Sequence, residues 1–317
     1  MARPAIQLCS ASKSFGTTRA VRDLDLVVPT GSLCGFLGPN GAGKTTTLRM
    51  IMSIIYPDSG SVAVLGGNAL QSKDRIGYLP EERGLYRKMR VGEFLQYIGR
   101  LKGMPRRGLA ADVRGWLGRL ALPGVERKKC EELSKGMQQK VQFVAAILHD
   151  PELLILDEPF SGLDPVNTEL LNRLIRELND QGKTIIFSTH ILHQAEQICD
   201  RIFLINHGVK LLDASMEEIH HRFDPHTIVA DPLDGRIEAD GIEGLKSVRR
   251  MREGSAQELE LESNADPQAV MKRVLERHRV RSIELRRLSL EEVFIQLVGQ
   301  DQGAEAAAQA REDLTRV

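Results

Sequence analysis

A phosphate-binding loop is predicted by eight consecutive residues near the start of the chain, Gly38-Pro39-Asn40-Gly41-Ala42-Gly43-Lys44-Thr45. The glycines allow the backbone to curl so that its N–H groups face an anion, and the following helix adds partial positive charge. We expect Lys44 to reach the β- and γ-phosphates of a nucleotide, Thr45 to ligate magnesium and Thr46 to line the same loop. The segment therefore predicts a nucleotide site.

Two adjacent carboxylates supply the rest of a hydrolytic site. Asp157 and Glu158 follow the apolar run 153–156, and ligands of open α/β sheets bind at the carboxyl ends of strands. Asp157 is expected to hold hydrated magnesium. Glu158, one residue further on, is expected to polarise the attacking water, which is the positioning role that phosphoryl transfer requires.

The elements that must position these residues follow an α/β pattern between about residues 5 and 213. Short apolar runs alternate there with amphipathic stretches and glycine turns. A helix is predicted over 45–55, and strands are predicted over 6–9, 24–28, 33–37, 61–65, 153–156, 184–188 and 202–205. The last three are nearly continuous apolar runs, as in parallel strands that are covered on both faces.

A mainly helical region is predicted over residues 85–145. Apolar residues recur there at steps of three and four, which places them on one face of a helix that we expect to pack into the core: Val91, Phe94, Leu95, Ile98 and Leu101.

The joint order of five motifs over residues 5–215 resembles the ATP-binding-cassette (ABC) ATPases. Besides the loop and the Asp-Glu strand, they are Leu133-Ser134-Lys135-Gly136-Met137, Ser161-Gly162-Leu163-Asp164 and His190, which match the family's signature, D-loop and switch histidine; Phe15 matches its adenine-stacking aromatic. The resemblance implies a P-loop NTPase cassette with a helical subdomain and an N-terminal antiparallel β part. It also implies ATP and Mg²⁺ as cofactors and assigns catalysis to Glu158, His190 and Lys44.

The same resemblance implies a dimer. In the family, the signature of one subunit closes on the phosphates held by the other, so Ser134, Gly136 and Asp164 would bind nucleotide across a homodimer or cassette pair. Because only one cassette is present and no internal repeat occurs, a second chain is expected.

Two departures from the family pattern concern the site. Lys135 and Met137 replace the signature's first glycine and its glutamine, while Ser134 and Gly136 are kept. Glu81 stands where the family usually has glutamine. It can still ligate magnesium or its water, and its charge is expected to make the site more sensitive to metal and pH.

Beyond residue 212 the composition changes to alternating charged and apolar residues with turn signals, which predicts a small α+β domain over 220–300 and a flexible tail over 301–317. Ser289 and Glu292 form a capping-box pattern at the start of a helix over 290–298. Segments 81–89 and 289–294 resemble ATPase subunits of bacterial exporters of the sodium-extrusion and multidrug type, which carry such an extra domain.

Composition narrows the possible partners. The 317 residues include 43 basic and 43 acidic side chains, so there is no net charge to favour nucleic acid. No apolar run approaches the roughly 20 residues that span a bilayer, and the N-terminus lacks a secretion signal, so we expect a cytoplasmic chain. Neither the four scattered cysteines nor the histidines His190 and His193 complete a disulfide framework or a metal site.

The sequence thus predicts the ATP-hydrolysing, energy-coupling subunit of an exporter, lying on the inner face of the membrane beside a separate membrane-spanning permease. Coupling is expected through residues 81–88 and the helical region. The alternatives are a soluble ABC ATPase acting on nucleic acid or ribosomes and a small-molecule kinase. The chain lacks the basic charge, the second cassette and the long insertion that the first alternative would require. A small-molecule kinase would give no reason for the signature at Ser134.

Overall fold

The computed structural model describes residues 3–82, 84–251, 254–303, 305, 307–309 and 311. It divides the chain into two compact units. The larger unit contains the chain up to Met216 together with the residues from Phe294 onward, and the smaller unit is Glu217–Val293. Arg83 and much of the predicted tail 301–317 lie outside the described residues.

The strands, in chain order, are β1 (Ile6–Phe15), β2 (Thr18–Val28), β3 (Leu33–Leu37), β4 (Ser59–Val64), β5 (Ile76–Leu79), β6 (Leu153–Asp157), β7 (Thr184–Thr189), β8 (Arg201–Asn206), β9 (Val209–Ser215), β10 (Thr227–Pro232), β11 (Leu245–Arg250), β12 (Gln257–Leu261) and β13 (Val280–Leu285). The α-helices are α1 (Lys44–Ile51), α2 (Val91–Leu101), α3 (Arg106–Arg119), α4 (Lys135–Ile147), α5 (Pro165–Asp180), α6 (Leu192–Ile198), α7 (Met216–Arg222), α8 (Pro267–Arg277) and α9 (Leu290–Gln302). Within the described part of the chain, no helix is both long and apolar enough to cross a membrane.

A six-stranded sheet, ordered β5-β6-β7-β3-β8-β9, forms the centre of the larger unit. All its neighbouring strands are parallel except β8 and β9, which pair antiparallel. Every residue of β3, β6 and β7 is buried, as expected for strands covered on both faces. The register pairs Leu37 with Thr189 and Asp157 with Ser188, so the ends of β3, β6 and β7 lie at one edge of the sheet.

The N-terminal part is the antiparallel sheet β2-β1-β4 that the resemblance implied. Its apolar residues share a core with β3, α1 and β6. The observed strands are longer than predicted, because β1 and β2 continue through polar residues to their connecting turn at Gly16.

The sequence missed two strands of the central sheet, β5 and β9. β5 is only four residues long, and β9 mixes apolar with charged side chains at an edge, so neither has the long apolar run that marks the other strands. The predicted helix 45–55 is also shorter than expected. It ends at Ile51, because Ser53 takes a left-handed φ of 55°.

The helical region consists of α2, α3, α4 and two short 3₁₀ turns. The predicted stripe is divided: Val91, Phe94 and Leu95 are buried, whereas Leu101 is exposed, which corrects its assignment to the core. Leu101 is the last residue of α2, and the chain turns away at Gly103, whose φ is 86°.

The smaller unit contains an antiparallel sheet, β11-β12-β10-β13, with α8 packed on one face over a separate apolar core. The predicted capping box is present, because Ser289 N–H donates to Glu292 Oε2 (3.0 Å) and Glu292 N–H donates to Ser289 Oγ (3.2 Å). The helix that follows, α9, is longer than the predicted 290–298.

Candidate active site

The phosphate loop joins the end of β3 to the start of α1, as predicted. Two of its glycines are required by close approach to other strands. A Cβ at Gly43, whose φ is 105°, would lie 2.4 Å from Ala20 O, and a Cβ at Gly38 would lie 2.1 Å from Ile205 O. The loop is therefore seated between the N-terminal sheet and the central sheet, and a larger side chain at either position would displace it. Within the loop, Ala42 N–H donates to the carbonyl of Pro39 at 3.2 Å.

Lys44 is the buried cation of this site. Its ammonium donates to the carbonyls of Gly38 (2.8 Å) and Pro39 (3.1 Å) and lies 3.9 Å from Glu158 Oε1. Burial lowers the pKa of Lys44, while the negative charges of Glu158 and Asp157 act in the opposite direction. The loop thus holds this ammonium close to its own backbone.

Asp157 ends β6 as a completely buried carboxylate. Its Oδ1 accepts hydrogen bonds from Ser188 Oγ (2.5 Å) and Thr45 Oγ1 (3.3 Å), and burial raises its pKa. Its Oδ2 is buried and has no hydrogen-bond partner among the described residues. A buried carboxylate oxygen with a free lone pair beside a hydroxyl is a donor set that suits Mg²⁺, so the residues present fit this metal.

Glu158 has a left-handed backbone, with φ of 48°. Its N–H donates to the carbonyl (3.1 Å) and hydroxyl (3.2 Å) of Ser188 on the neighbouring strand. Its Oε1 accepts from the N–H of His190 at 3.1 Å and lies 2.8 Å from His190 Nδ1. Because a carboxylate only accepts, a proton on Nδ1 makes this second contact a hydrogen bond. Ser188 thus fixes the backbone of Glu158, and His190 fixes its side chain.

Lys44, Thr45 and Glu158 border one cleft of about 320 Å³. Its lining residues are Ala20, Asn40, Gly41, Gly43, Lys44, Thr45, Thr46, Glu81 and Glu158. Glu81, the departure from the family's glutamine, therefore shares the cleft with the phosphate loop. Phe15 is not among the residues that line it. Its side chain is half exposed at the end of β1, and Lys13 Nζ lies 5.7 Å from the centre of its ring.

The signature residues stand at the start of α4, as the sequence predicted. Ser134 caps the helix by accepting a hydrogen bond from Met137 N–H (3.3 Å), and Ser134 itself is exposed. A Cβ at Gly136 would lie 3.3 Å from the carbonyl of Gly162, so the signature packs on the D-loop of the same chain. Neither Ser134 nor Gly136 lines the cleft.

Asp164 caps the next helix, α5, by accepting from Asn167 N–H at 2.9 Å. Lys140 of α4 donates to Asn167 Oδ1 at 2.8 Å, which ties the two helices together. Asp164 is likewise absent from the lining of the cleft. The structure therefore gathers Lys44, Thr45, Glu81 and Glu158 around one cleft, and it places Ser134, Gly136 and Asp164 on a second group of elements.

Three buried polar residues that hold the site together were missed by the sequence interpretation. Ser188 bonds to both Asp157 and Glu158, as described above. Gln139 donates from Nε2 to the carbonyls of Glu158 (3.2 Å) and Pro159 (3.0 Å), and Gln142 donates to the carbonyl of Glu82 (3.2 Å). Gln139 and Gln142 are three residues apart beside Val141 and Phe143, and polar residues at such positions of a buried helix are the signal that could have identified them.

A loop that can surround a phosphate, opening toward a carboxylate pair at the same sheet edge, defines the class of phosphate-loop nucleoside triphosphatases. Comparison with known proteins gives the family. The family model described as "ABC transporter" matches residues 21–161, and the one described as "ATP-binding protein DrrA1-3-like, C-terminal domain" matches residues 215–298.

Relatives extend the match to nearly the whole chain. The chain is 40% identical over 289 residues to the uncharacterized ABC transporter ATP-binding protein YhaQ of Bacillus subtilis (strain 168), which covers 91% of this chain and 96% of that protein. It is 34% identical over 312 residues to Nod factor export ATP-binding protein I of Rhizobium sp. (strain N33), covering 95% and 99% respectively. The chain belongs to the ATP-binding proteins of ABC transporters, and it is an ATPase.

A solved structure confirms the predicted fold class. The dimeric structure of MJ0796, a bacterial ABC transporter cassette, aligns with a TM-score of 0.63 at 22% identity, over 67% of this chain and 98% of that one.

Proposed function

We propose that this chain powers an exporter: two copies, or this chain with a second cassette, close on ATP and Mg²⁺ beside a separate membrane-spanning permease on the inner face of the membrane. Support comes from the name of the rhizobial relative, an export ATP-binding protein, and from the DrrA-like domain. In this proposal residues 1–215 form the catalytic cassette, 220–300 an accessory domain outside phosphoryl transfer, and 301–317 a flexible tail.

The main support for a dimer is that, within one chain, some of the expected site residues line the cleft and others lie outside it. The cleft contains the phosphate loop, Glu81 and Glu158, but the exposed Ser134 with Gly136 and Asp164 lies outside its lining. A helix N-terminus with an exposed hydroxyl can bind an anion. A second subunit could bring these groups to the nucleotide, and the solved cassette named above is described as dimeric.

The residue roles follow from the geometry. We propose that Lys44 exchanges its carbonyl contacts for phosphate oxygens, and that Thr45, Asp157 and Glu81 hold Mg²⁺, which when bound offsets charge on the phosphates. Glu158 would accept a proton from water, and the hydrogen bonds from His190 would keep its carboxylate aligned. Phe15 would stack on the adenine ring.

Coupling to the permease is proposed through residues 81–88 and the helical region. Glu81 lines the cleft, and the carbonyl of the next residue, Glu82, accepts from Gln142 of α4, so the loop is bonded to the helix that carries the signature. Tyr86, at the far end of this loop, is 54% exposed and stands edge-on to Phe94 of α2, with ring centres 6.0 Å apart. A change at the nucleotide could thus reach an exposed aromatic surface.

A site-specific photo-crosslinking experiment tests this function. A photoreactive amino acid at Tyr86 of the full chain, in its own cells, should crosslink to a membrane-spanning protein, identified by mass spectrometry. Leu233, which is 48% exposed, is the matched control position and should not give that product. Crosslinks from Tyr86 to ribosomal proteins or nucleic acid, without a membrane protein, would favour the soluble alternative and overturn the proposal.

A further inference from the structure

Charge is unevenly distributed along this neutral chain. Residues 85–145 contain fourteen Lys and Arg side chains against five Asp and Glu, an excess of nine, although the whole chain has 43 of each. The other residues therefore carry an equal excess of acid. A net charge of zero hides a strongly basic helical region, which the composition of the full sequence does not reveal.

Two short segments of this region lie side by side. The N–H of Cys130 donates to the carbonyl of Met89 (3.0 Å), and the N–H of Val91 donates to the carbonyl of Lys128 (2.9 Å), which form an antiparallel bridge between them. The pairing brings together six cations that we name the basic ladder: Arg87, Lys88, Arg90, Arg127, Lys128 and Lys129. Arg90 and Lys129 stand directly opposite each other in this bridge, and the other four cations flank them along the two segments.

The basic ladder is exposed, and most of its cations form no ion pair with a described residue. All six side chains belong to exposed residues, and among the described residues only Lys129 has an ion pair, 4.0 Å from Glu131. The nearby carboxylates of Glu93 and Glu132 accept hydrogen bonds from the backbone N–H groups of Arg90 (3.4 Å) and Lys129 (2.7 Å). These bonds leave the carboxylates charged, so Glu93, Glu126, Glu131 and Glu132 offset part of the positive charge, but the six cations outnumber them.

The small C-terminal unit shows the opposite arrangement. Arg286 there bonds to Glu258 (2.7 Å) and Glu292 (2.6 Å), and Lys246 bonds to Glu260 (2.5 Å). Several basic residues of this unit are thus paired with carboxylates, whereas five of the six cations of the basic ladder have no ion pair among the described residues.

An aromatic side chain borders the basic ladder. Tyr86 precedes it, and its ring is edge-on to Phe94 and Tyr97, with centres 6.0 and 5.9 Å away, while about half of the side chain stays exposed. The ring helps to line an open cleft of about 550 Å³ with Arg87 and Lys88. An exposed tyrosine that packs on other rings beside lysine and arginine is typical of the interface between a membrane and water.

We propose that the basic ladder binds the anionic phospholipid surface of the membrane, independently of the permease. Cations on two paired segments spread the positive charge over an area. Such an arrangement fits a plane of lipid phosphates better than the single row of phosphates in one nucleic-acid strand. Clusters of four to eight basic residues next to a membrane bind anionic lipid. The inference rests on the proposed function only in requiring that the chain works at a membrane.

Vesicle flotation of the full chain tests the proposal without any permease. Vesicles of phosphatidylcholine mixed with phosphatidylglycerol should bind the protein, those of phosphatidylcholine alone should not, and binding should fall as salt rises. Arg90→Gln, Arg127→Gln and Lys128→Gln together should weaken binding on the order of 100-fold, since each cation near an anionic surface contributes roughly fivefold.

A matched control removes the same charge elsewhere. Arg22→Gln, Arg173→Gln and Lys272→Gln are exposed positions outside the basic ladder, and this triple variant should bind vesicles like the wild type. Equal losses in both variants, or equal binding to neutral vesicles, would overturn the assignment. Binding to a single-stranded oligonucleotide but not to anionic vesicles would also overturn it, in favour of nucleic acid. ATP-dependent dimer formation in the same samples reports on the proposed function separately.

Discussion

The N-termini of α1 and α4 could each face an anion. They differ in how many residues of the same chain surround them. At the start of α1, Lys44 is buried, Thr45 touches Asp157 and the loop is fixed by strands on both sides. At the start of α4, Ser134 is exposed and its hydroxyl accepts only from its own helix. The first region is held by contacts with several elements of the same chain, whereas Ser134 in the second contacts its own helix and is otherwise exposed. In the proposed dimer, the start of α4 is the place where a second subunit would complete the site.

The largest expected effect is on ATP turnover at the phosphate-loop site, next to the start of α1. Glu158→Gln keeps the size of the side chain and removes its proton-accepting charge, so ATP turnover should fall by roughly 10²- to 10⁴-fold. Binding should persist, because Lys44 and Asp157 are untouched. Sizing in ATP and Mg²⁺ should then show a nucleotide-bound dimer in place of monomer.

Glu169→Gln, an exposed carboxylate on α5, is the matched control and should turn over ATP like the wild type. Near-normal hydrolysis by Glu158→Gln would remove this residue from its proposed role. Loss of ATP binding would instead mean that Glu158 is a ligand.

The second prediction addresses the start of α4, where Ser134 is exposed. Ser134→Arg should leave ATP binding by the same chain intact and block the composite site in trans, whereas Lys44→Ala should weaken binding in cis. An equal mixture of the two variants should recover about a quarter of wild-type turnover, since about half the dimers are mixed and each has one intact site. No recovery, with mixed dimers demonstrated by mass spectrometry, would contradict the division of the site.

The smallest expected effect is on stability. Because burial raises the pKa of Asp157, this carboxyl holds its proton more tightly in the folded chain, and the fold loses stability as pH rises from the unfolded pKa through the folded one. Asp157→Asn cannot ionise. We expect it to raise the free energy of unfolding by about 1 kcal/mol at neutral pH while turnover falls.

The pH dependence gives this prediction its control. The gain in stability should shrink on acidification and vanish below the unfolded pKa, where the wild-type carboxyl is also protonated. Denaturant titrations at neutral and acidic pH measure it. A variant less stable than the wild type at neutral pH would show that the hydrogen bonds from Ser188 and Thr45 outweigh the cost of burial.

The sequence predicted the loop well because its chemistry acts through consecutive residues. Glycines, a lysine and a hydroxyl must follow one another after a strand, and β3 was predicted with its observed bounds, Leu33–Leu37. Contacts between elements that are distant in the chain are harder to predict from the sequence. Gln139 and Glu158 are nineteen residues apart, and nothing in their spacing shows that one holds the backbone of the other. Leu101 has the helical period of a core residue but is exposed, because the chain turns away directly after it.

The bonds of Gln139 limit how α4 can vary. This helix presents Ser134 outward at its start and, five residues later, about 7.5 Å along its axis, fixes the carbonyl of Glu158. In the proposed dimer, a substitution that moves α4 would therefore alter two active sites together: Glu158 of its own site and the proposed anion contact in the partner's site. A shift of this helix would change the position of Glu158 and the anion contact at Ser134 together. A change in only one of them would require substitutions elsewhere in the chain.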